Sequence, residues 1–130
     1  MITISGSTDT DTTGAEFLTR APHPPGIIDH GNGVTQIYDR DGNESWYRNG
    51  KRHRDNDLPA IIRNDGSQYW YRNGLCHRDG DKPAVIRADG TQRWYEDGKL
   101  HRDGDKPAAI WTCGICECYH YGRHYHPQGL

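Results

Sequence analysis

The chain has 130 residues, room for one domain, with 16 Lys and Arg against 18 Asp and Glu and a net charge of −2. Charges so nearly balanced supply no basic stripe to neutralise a phosphate backbone, which disfavours duplex nucleic acid as a partner. No run of 18 apolar residues is present, and the first residues carry neither the positive region nor the apolar core of a signal peptide, so a soluble cytoplasmic protein with no membrane span is expected.

Residues 1–25 are rich in Ser, Thr, Asp, Gly and Pro and close on Ala21-Pro22-His23-Pro24-Pro25. Such a segment buries too little apolar surface to offset its ordering entropy, so it reads as a tail that is flexible or ordered by a partner, with Phe17 and Leu18 as its anchor. Residues 26–41 read as an N-terminal half-unit of the pattern that follows, with Gly26 in the frame of Gly50 and Ile37 in that of Ile61. Its missing Trp, His and Pro match the degenerate terminal repeats that cap solenoids.

Residues 42–113 write one 24-residue unit three times without a gap. Trp falls at 46, 70 and 94, and His-Arg-Asp starts at 53, 77 and 101. Gly42/66/90, Tyr47/71/95, Gly50/74/98, Asp57/81/105, Pro59/83/107, Ala60/84/108 and Ile62/86/110 recur in the same frame. A tandem array of like units follows. Leu, Ile, Val and Phe number only 18, so folding must lean on aromatic burial and on hydrogen bonds between units.

Asn49-Gly50, Asn73-Gly74 and Asp97-Gly98 sit between short β-prone runs and predict type I′ hairpins, whose two central residues need positive φ. Further turns are expected at Asn64-Asp65-Gly66 and Ala88-Asp89-Gly90. A two-residue loop fixes register, pairing Arg48 with Lys51, Tyr47 with Arg52 and Trp46 with His53. Repeated at Trp70/His77 and Trp94/His101, that register predicts a ladder of indole–imidazole pairs. The fold class is all-β, an antiparallel repeat array with no helix.

His-Arg-Asp also occurs in the catalytic loop of protein kinases, but here it recurs three times in a chain too short for that fold. The reading from the residues is structural: Asp55, Asp79 and Asp103, with Asp57, Asp81 and Asp105, are expected to accept backbone N–H groups in the tight loop before each Pro. Asp79-Gly80-Asp81 offers too few oxygens for a calcium loop.

The run Trp46-Tyr47-Arg48-Asn49-Gly50-Lys51-Arg52-His53, echoed near Trp70 and Trp94, resembles the MORN class of repeats over about residues 34–113. Its continuation into His-Arg-Asp-x-Asp-x-Pro-Ala is similar to MORN-like arrays of large phages and giant viruses. It departs from the common unit in placing Arg54, Arg78 and Arg102 where Gly follows the His. The resemblance implies an extended antiparallel β-rod used for protein contacts, without catalytic residues.

Residues 114–130 read as a degenerate C-terminal cap in which Cys118 stands in the frame of Trp94 and, just before it, Cys113 in that of Asp89. Cys113, Cys116, Cys118, His120, His124 and His126 are candidate ligands for a structural Zn²⁺, four at most. Alternate residues of a strand lie about 6.6 Å apart, so Cys116 and His120 on one strand would be about 13 Å apart, too far for bonds of about 2.0–2.3 Å. Either the strand bends, or the ligands are Cys113, Cys116 and Cys118 with His124 or His126.

The function expected is a non-enzymatic protein–protein interaction module. It would be a phage protein that binds and inhibits a host factor or, as one alternative, a virion structural or accessory component contacting a virion subunit, and open sheet edges would allow homo-oligomers. A zinc-dependent role, or single-stranded nucleic acid stacked on the Trp-Tyr-Arg runs, is the other alternative.

Overall fold

The computed structural model describes residues 23–127, so all but the end of the tail expected over residues 1–25 lies outside it. The described residues are all β. β1 (Gly26–Gly31) folds back on β2 (Val34–Tyr38), and β2 pairs with β3 (Glu44–Arg48), which turns into β4 (Lys51–Arg52). The first unit closes with β5 (Ile61–Ile62), and the second opens with β6 (Gln68–Tyr69), β7 (Tyr71–Arg72) and β8 (Leu75–Cys76). The second unit closes with β9 (Val85–Ile86), the third supplies β10 (Gln92–Arg93), β11 (Tyr95–Glu96), β12 (Lys99–Leu100) and β13 (Ala109–Ile110), and the cap supplies β14 (Cys116–His120) and β15 (Arg123–Tyr125).

The main sheet is an open antiparallel meander in the order β1-β2-β3-β5-β6-β9-β10-β13-β14-β15, with β4 beside β3. Hairpins β7–β8 and β11–β12 stand beside it as separate ribbons. The tryptophan makes the switch between the two. Trp70, between β6 and β7, donates its N–H to Ala84 O (2.8 Å) and accepts His77 N–H (3.0 Å); Trp94 does the same with Ala108 and His101.

Glycine chemistry sets the turns. Asn49-Gly50, Asn73-Gly74, Asp97-Gly98 and Tyr121-Gly122 all have positive φ at both positions, as type I′ turns require. Their register is the expected one, with Tyr47 opposite Arg52 and Arg48 opposite Lys51. At the other end of the strands Gly66 donates to Arg63 O while Arg63 donates to Ser67 O, a type I turn closed by a glycine bulge. Arg87–Thr91, Trp111–Ile115 and Asp39–Asn43 repeat that pattern.

The core is a thin thread. Ala60, Ala84 and Ala108 have no exposure, and Ile61, Val85, Ala109, Trp70 and Trp94 are buried with them. Only about one residue in four or five of a unit is buried, and much of the remaining cohesion comes from hydrogen bonds, several of which cross between units. Gly74, Gly98 and Gly122 donate to the carbonyls of Arg52, Cys76 and Leu100, each at 2.8 Å. Asn43 Oδ1 and Ser67 Oγ accept the N–H groups of Asn64 and Ala88, each also at 2.8 Å. The glycine bonds join one unit to the next, so no unit completes its own polar requirements alone, while the Asn43 and Ser67 bonds brace the turns within a unit.

Two expectations about side chains are corrected. The loop aspartates do not serve as Asx-turn acceptors: Asp55, Asp79 and Asp103 take their own unit's histidine Nε2, while Asp57 and Asp81 take cations of the next unit. Asn56-Asp57, Gly80-Asp81 and Gly104-Asp105 have positive φ throughout, so the backbone turns unaided and the carboxylates project outward. The indole–imidazole ladder is also absent in the expected form. The backbones of Trp and His are paired, but the group over each indole is the following arginine.

Candidate functional site

A row of clefts lines the side of the array where the His-Arg-Asp loops meet the hairpins. The first is lined by Trp46, Arg48, His53 and Asp55, among others, and encloses about 250 Å³. The second, about 410 Å³, sets the 53–57 loop against Trp70, Tyr71 and Arg72. The third, about 400 Å³, sets the 77–81 loop against Trp94, Tyr95 and Glu96. A fourth of about 510 Å³ falls at the cap, between Asp105 and the Cys118, Tyr125 and His126 positions. Equivalent residues 24 positions apart line the successive clefts.

The histidines fasten these clefts. His53 Nδ1 accepts the N–H of Asn73 (3.1 Å), His77 that of Asp97 (3.0 Å) and His101 that of Tyr121 (3.0 Å). An Nδ1 that accepts an N–H carries no proton, so each neutral ring holds its hydrogen on Nε2. That hydrogen goes to Asp55 (2.7 Å), Asp79 (2.8 Å) or Asp103 (2.9 Å). The bond from His53 holds the Asp55 carboxyl below its ordinary range, and His77 does the same for Asp79.

The arginines clamp the opposite wall. Arg54, Arg78 and Arg102 lie 4.0, 3.8 and 3.9 Å from the centres of Trp46, Trp70 and Trp94, and each donates to the carbonyl of its own unit's Pro59, Pro83 or Pro107. Arg78 and Lys82 also meet Asp57 of the preceding unit, at 2.8 Å each, and Arg102 and Lys106 meet Asp81 at 2.8 and 3.0 Å. These donors, the arginine first, bring Asp57 and Asp81 down to about 2. The indole N–H groups of Trp70 and Trp94 are spent on the carbonyls of Asp57 and Asp81. Guanidinium over ring thus occupies the surface a stacked base would use.

The row is not uniform. Arg48 reaches from Asp55 (3.4 Å) to Asn73 Oδ1 (3.3 Å) on the next hairpin, and Arg72 reaches from Asp79 (3.2 Å) to Asp97 (3.6 Å). In the third unit that position is Glu96, whose Oε1 lies 3.5 Å from His101 Nε2. Glu96, His101 and Asp103 consequently place three ligand atoms within 4.8 Å of one another, the one such group of His, Cys, Asp or Glu among the described residues. As a metal centre it has a defect: Tyr121 N–H fixes the His101 proton on Nε2, the atom that would have to bind.

At the cap, register separates the zinc candidates. Cys118 pairs with Tyr125 and Tyr119 with His124, so Cys116, Cys118 and His120 occupy one face of the β14–β15 ribbon and His124 and His126 the other. On the cysteine face Cys118 Sγ approaches Asp105 O (3.9 Å), where an indole N–H sits in earlier units, and Tyr125 donates to Asp105 Oδ1 (3.0 Å). On the other, His124 stands 3.9 Å from Glu117 and 5.2 Å, ring to ring, from His126. Cys113 is exposed in the 111–115 turn. No three of the six bring ligand atoms within 4.8 Å of one another. Cys76, which the cluster never included, is pushed up to about 12 by burial.

At the N-terminal end a polar network replaces the missing preceding unit. Buried Glu44 accepts Trp46 Nε1 (2.7 Å) and Gln36 Nε2 (2.9 Å), and Gln36 Oε1 meets His30 Nε2 (2.8 Å). Nothing in the 24-residue alignment identifies this network, because Glu44 stands in the frame of Gln68 and Gln92.

Compared with known proteins, the chain matches no family model, no curated protein and no solved structure. Among the described residues no helix is long and apolar enough to cross a membrane.

Proposed function

We propose that this protein is a non-enzymatic interaction module that offers its cleft row and open sheet to another protein. The observation that carries the reading is that the histidines and the indole-clamped arginines lining the clefts are committed to structural bonds. Both nitrogens of His53, His77 and His101 are bonded, and Arg78 and Arg102 are held between an indole and a carboxylate. A general base or nucleophile needs a free lone pair facing substrate, and these side chains spend theirs on structure. Clefts recurring at 24-residue spacing favour a partner gripped at several points, where affinity multiplies along the row.

Resemblance of the repeats to MORN-like phage arrays supports a host factor, met in the cytoplasm and inhibited by docking, as the partner; a virion subunit is the next choice. Affinity capture with the tagged full chain tests this. A partner retained by the wild type and lost when exposed cleft residues such as Arg72 and Lys82 are changed together supports the reading. Retention of every ligand by that variant, with its fold intact, removes the clefts from function.

A further inference from the structure

The repeats differ from one another at one place in the clefts, and that difference identifies a ligand. In units one and two the groove beside the histidine holds a guanidinium of the chain itself. Arg48 spans Asp55 and the turn residue Asn73, and Arg72 spans Asp79 and the turn residue Asp97. In unit three the carboxylate persists as Asp103, while Tyr121 stands at the turn position of Asn73 and Asp97 and the cation is absent. Asp103 keeps its bond from His101 and is otherwise open to solvent, with 85% of its side chain exposed, and Glu96 has replaced the arginine. Among the described residues no Lys or Arg lies in ion-pair range of Glu96 or Asp103.

We infer that the third cleft receives an arginine side chain from the partner protein, seated between Asp103 and Glu96 as Arg48 and Arg72 are seated against Asp55 and Asp79. The inference deepens the interaction reading above and rests on it.

Three observations favour a guanidinium. The equivalent sites already display its binding mode, donated to a carboxylate at 3.2–3.4 Å with the other end on the neighbouring turn. The cleft, about 400 Å³ between the 77–81 loop and Trp94, has space for a side chain from outside. Its charge is complementary: Asp81 is answered by Arg102 and Lys106 and Asp79 by Arg72, which leaves Glu96 and Asp103 as the unanswered pair. The negative charge of Glu96, ahead of burial and of Asp103 and Asp97, also raises the Tyr121 phenol above its ordinary value. A divalent ion fits less well, since His101 would have to lose its Nε2 proton while Tyr121 N–H still occupies Nδ1. A guanidinium asks only for carboxylate acceptors, and its fork matches two of them.

The test is a titration of the ¹⁵N-labelled full chain with the blocked tripeptide Gly-Arg-Gly, its citrulline analogue and Ca²⁺ or Zn²⁺ in separate series. The arginine peptide should shift the amides of Glu96, Asp103 and Tyr121 saturably, and the uncharged citrulline peptide should not. Glu96→Arg, which supplies the missing cation internally, should weaken the peptide about tenfold or more while leaving amide positions in units one and two unchanged. Absence of saturable shifts, equal shifts at Asp55 and Asp79, or a response to the metals alone would each overturn the inference. A captured partner held equally well by Glu96→Arg would remove the arginine and leave the interaction module standing.

Discussion

His77 reaches out of its own unit: its Nδ1 accepts the backbone N–H of Asp97, 3.0 Å away and 20 residues on, while Nε2 holds Asp79 two residues along. The ring is buried, so neither bond is exchanged cheaply for water. His77→Ala should leave the Asp97 N–H without a partner in a site closed to solvent. Urea unfolding should show a loss of about 1–3 kcal/mol. His124→Ala, on the exposed ribbon, should fall within about 0.5 kcal/mol of the wild type.

Asp57 and Asp81 titrate at about 2, held there first by Arg78 and Arg102 and then by Lys82 and Lys106. A carboxyl whose folded value is depressed contributes stability that is complete above its unfolded value, about 3.9, and disappears as pH falls through the folded one. Unfolding midpoints should therefore drop between about pH 4 and pH 2. The double change Asp57→Asn and Asp81→Asn should flatten that slope. Both carboxylates are more than a third exposed, so the effect at neutral pH should be small and should shrink with added salt.

Ala84 has no exposed surface, and its own carbonyl accepts the backbone N–H of Trp70. Ala84→Leu should overfill the thread of the core and cost about 1–3 kcal/mol in chemical denaturation. A similar loss is expected for Ala60→Leu and Ala108→Leu, since the three positions are equivalent.

Because β14 and β15 divide the cap cysteines and histidines between two faces, chelation with EDTA should leave the melting temperature unchanged, and Cys116→Ser should too. Thiol labelling should modify exposed Cys113 and Cys116 well before Cys76, whose burial pushes its thiol up to about 12. A melting temperature that falls with chelation would show that the ribbon rearranges to gather its ligands.

What the residues disclosed and what they concealed divide along the line between backbone and side chain. Asn49-Gly50 needs positive φ whatever surrounds it, so hairpins, register and the all-β class were readable from local chemistry. The destination of the histidine was not, since pairing rules within one hairpin place His53 beside Trp46 and say nothing of Asn73 on the next. The arginines were noticed only as a departure from a resembling family, yet the Arg78–Asp57 clamp explains why Arg, Lys and Asp recur together at this spacing. Spacing within the cap could not place its candidate ligands, because successive residues of a strand point to opposite faces and the register of β15 against β14 decides which face His124 and His126 take. Glu96 was visible as the one departure from arginine among the three units, a signal that acquires meaning once Arg48 and Arg72 have a place.

The central claim is that three histidines stitch successive units together through Nδ1. A long-range ¹H–¹⁵N correlation spectrum of the imidazoles at neutral pH tests it most directly. His53, His77 and His101 should all show a bare, hydrogen-bonded Nδ1 and a protonated Nε2, while His124 and His126 show no common pattern. If the three rings instead carry their protons on Nδ1, or average between tautomers as free imidazoles do, the units are not joined in this way and the account fails.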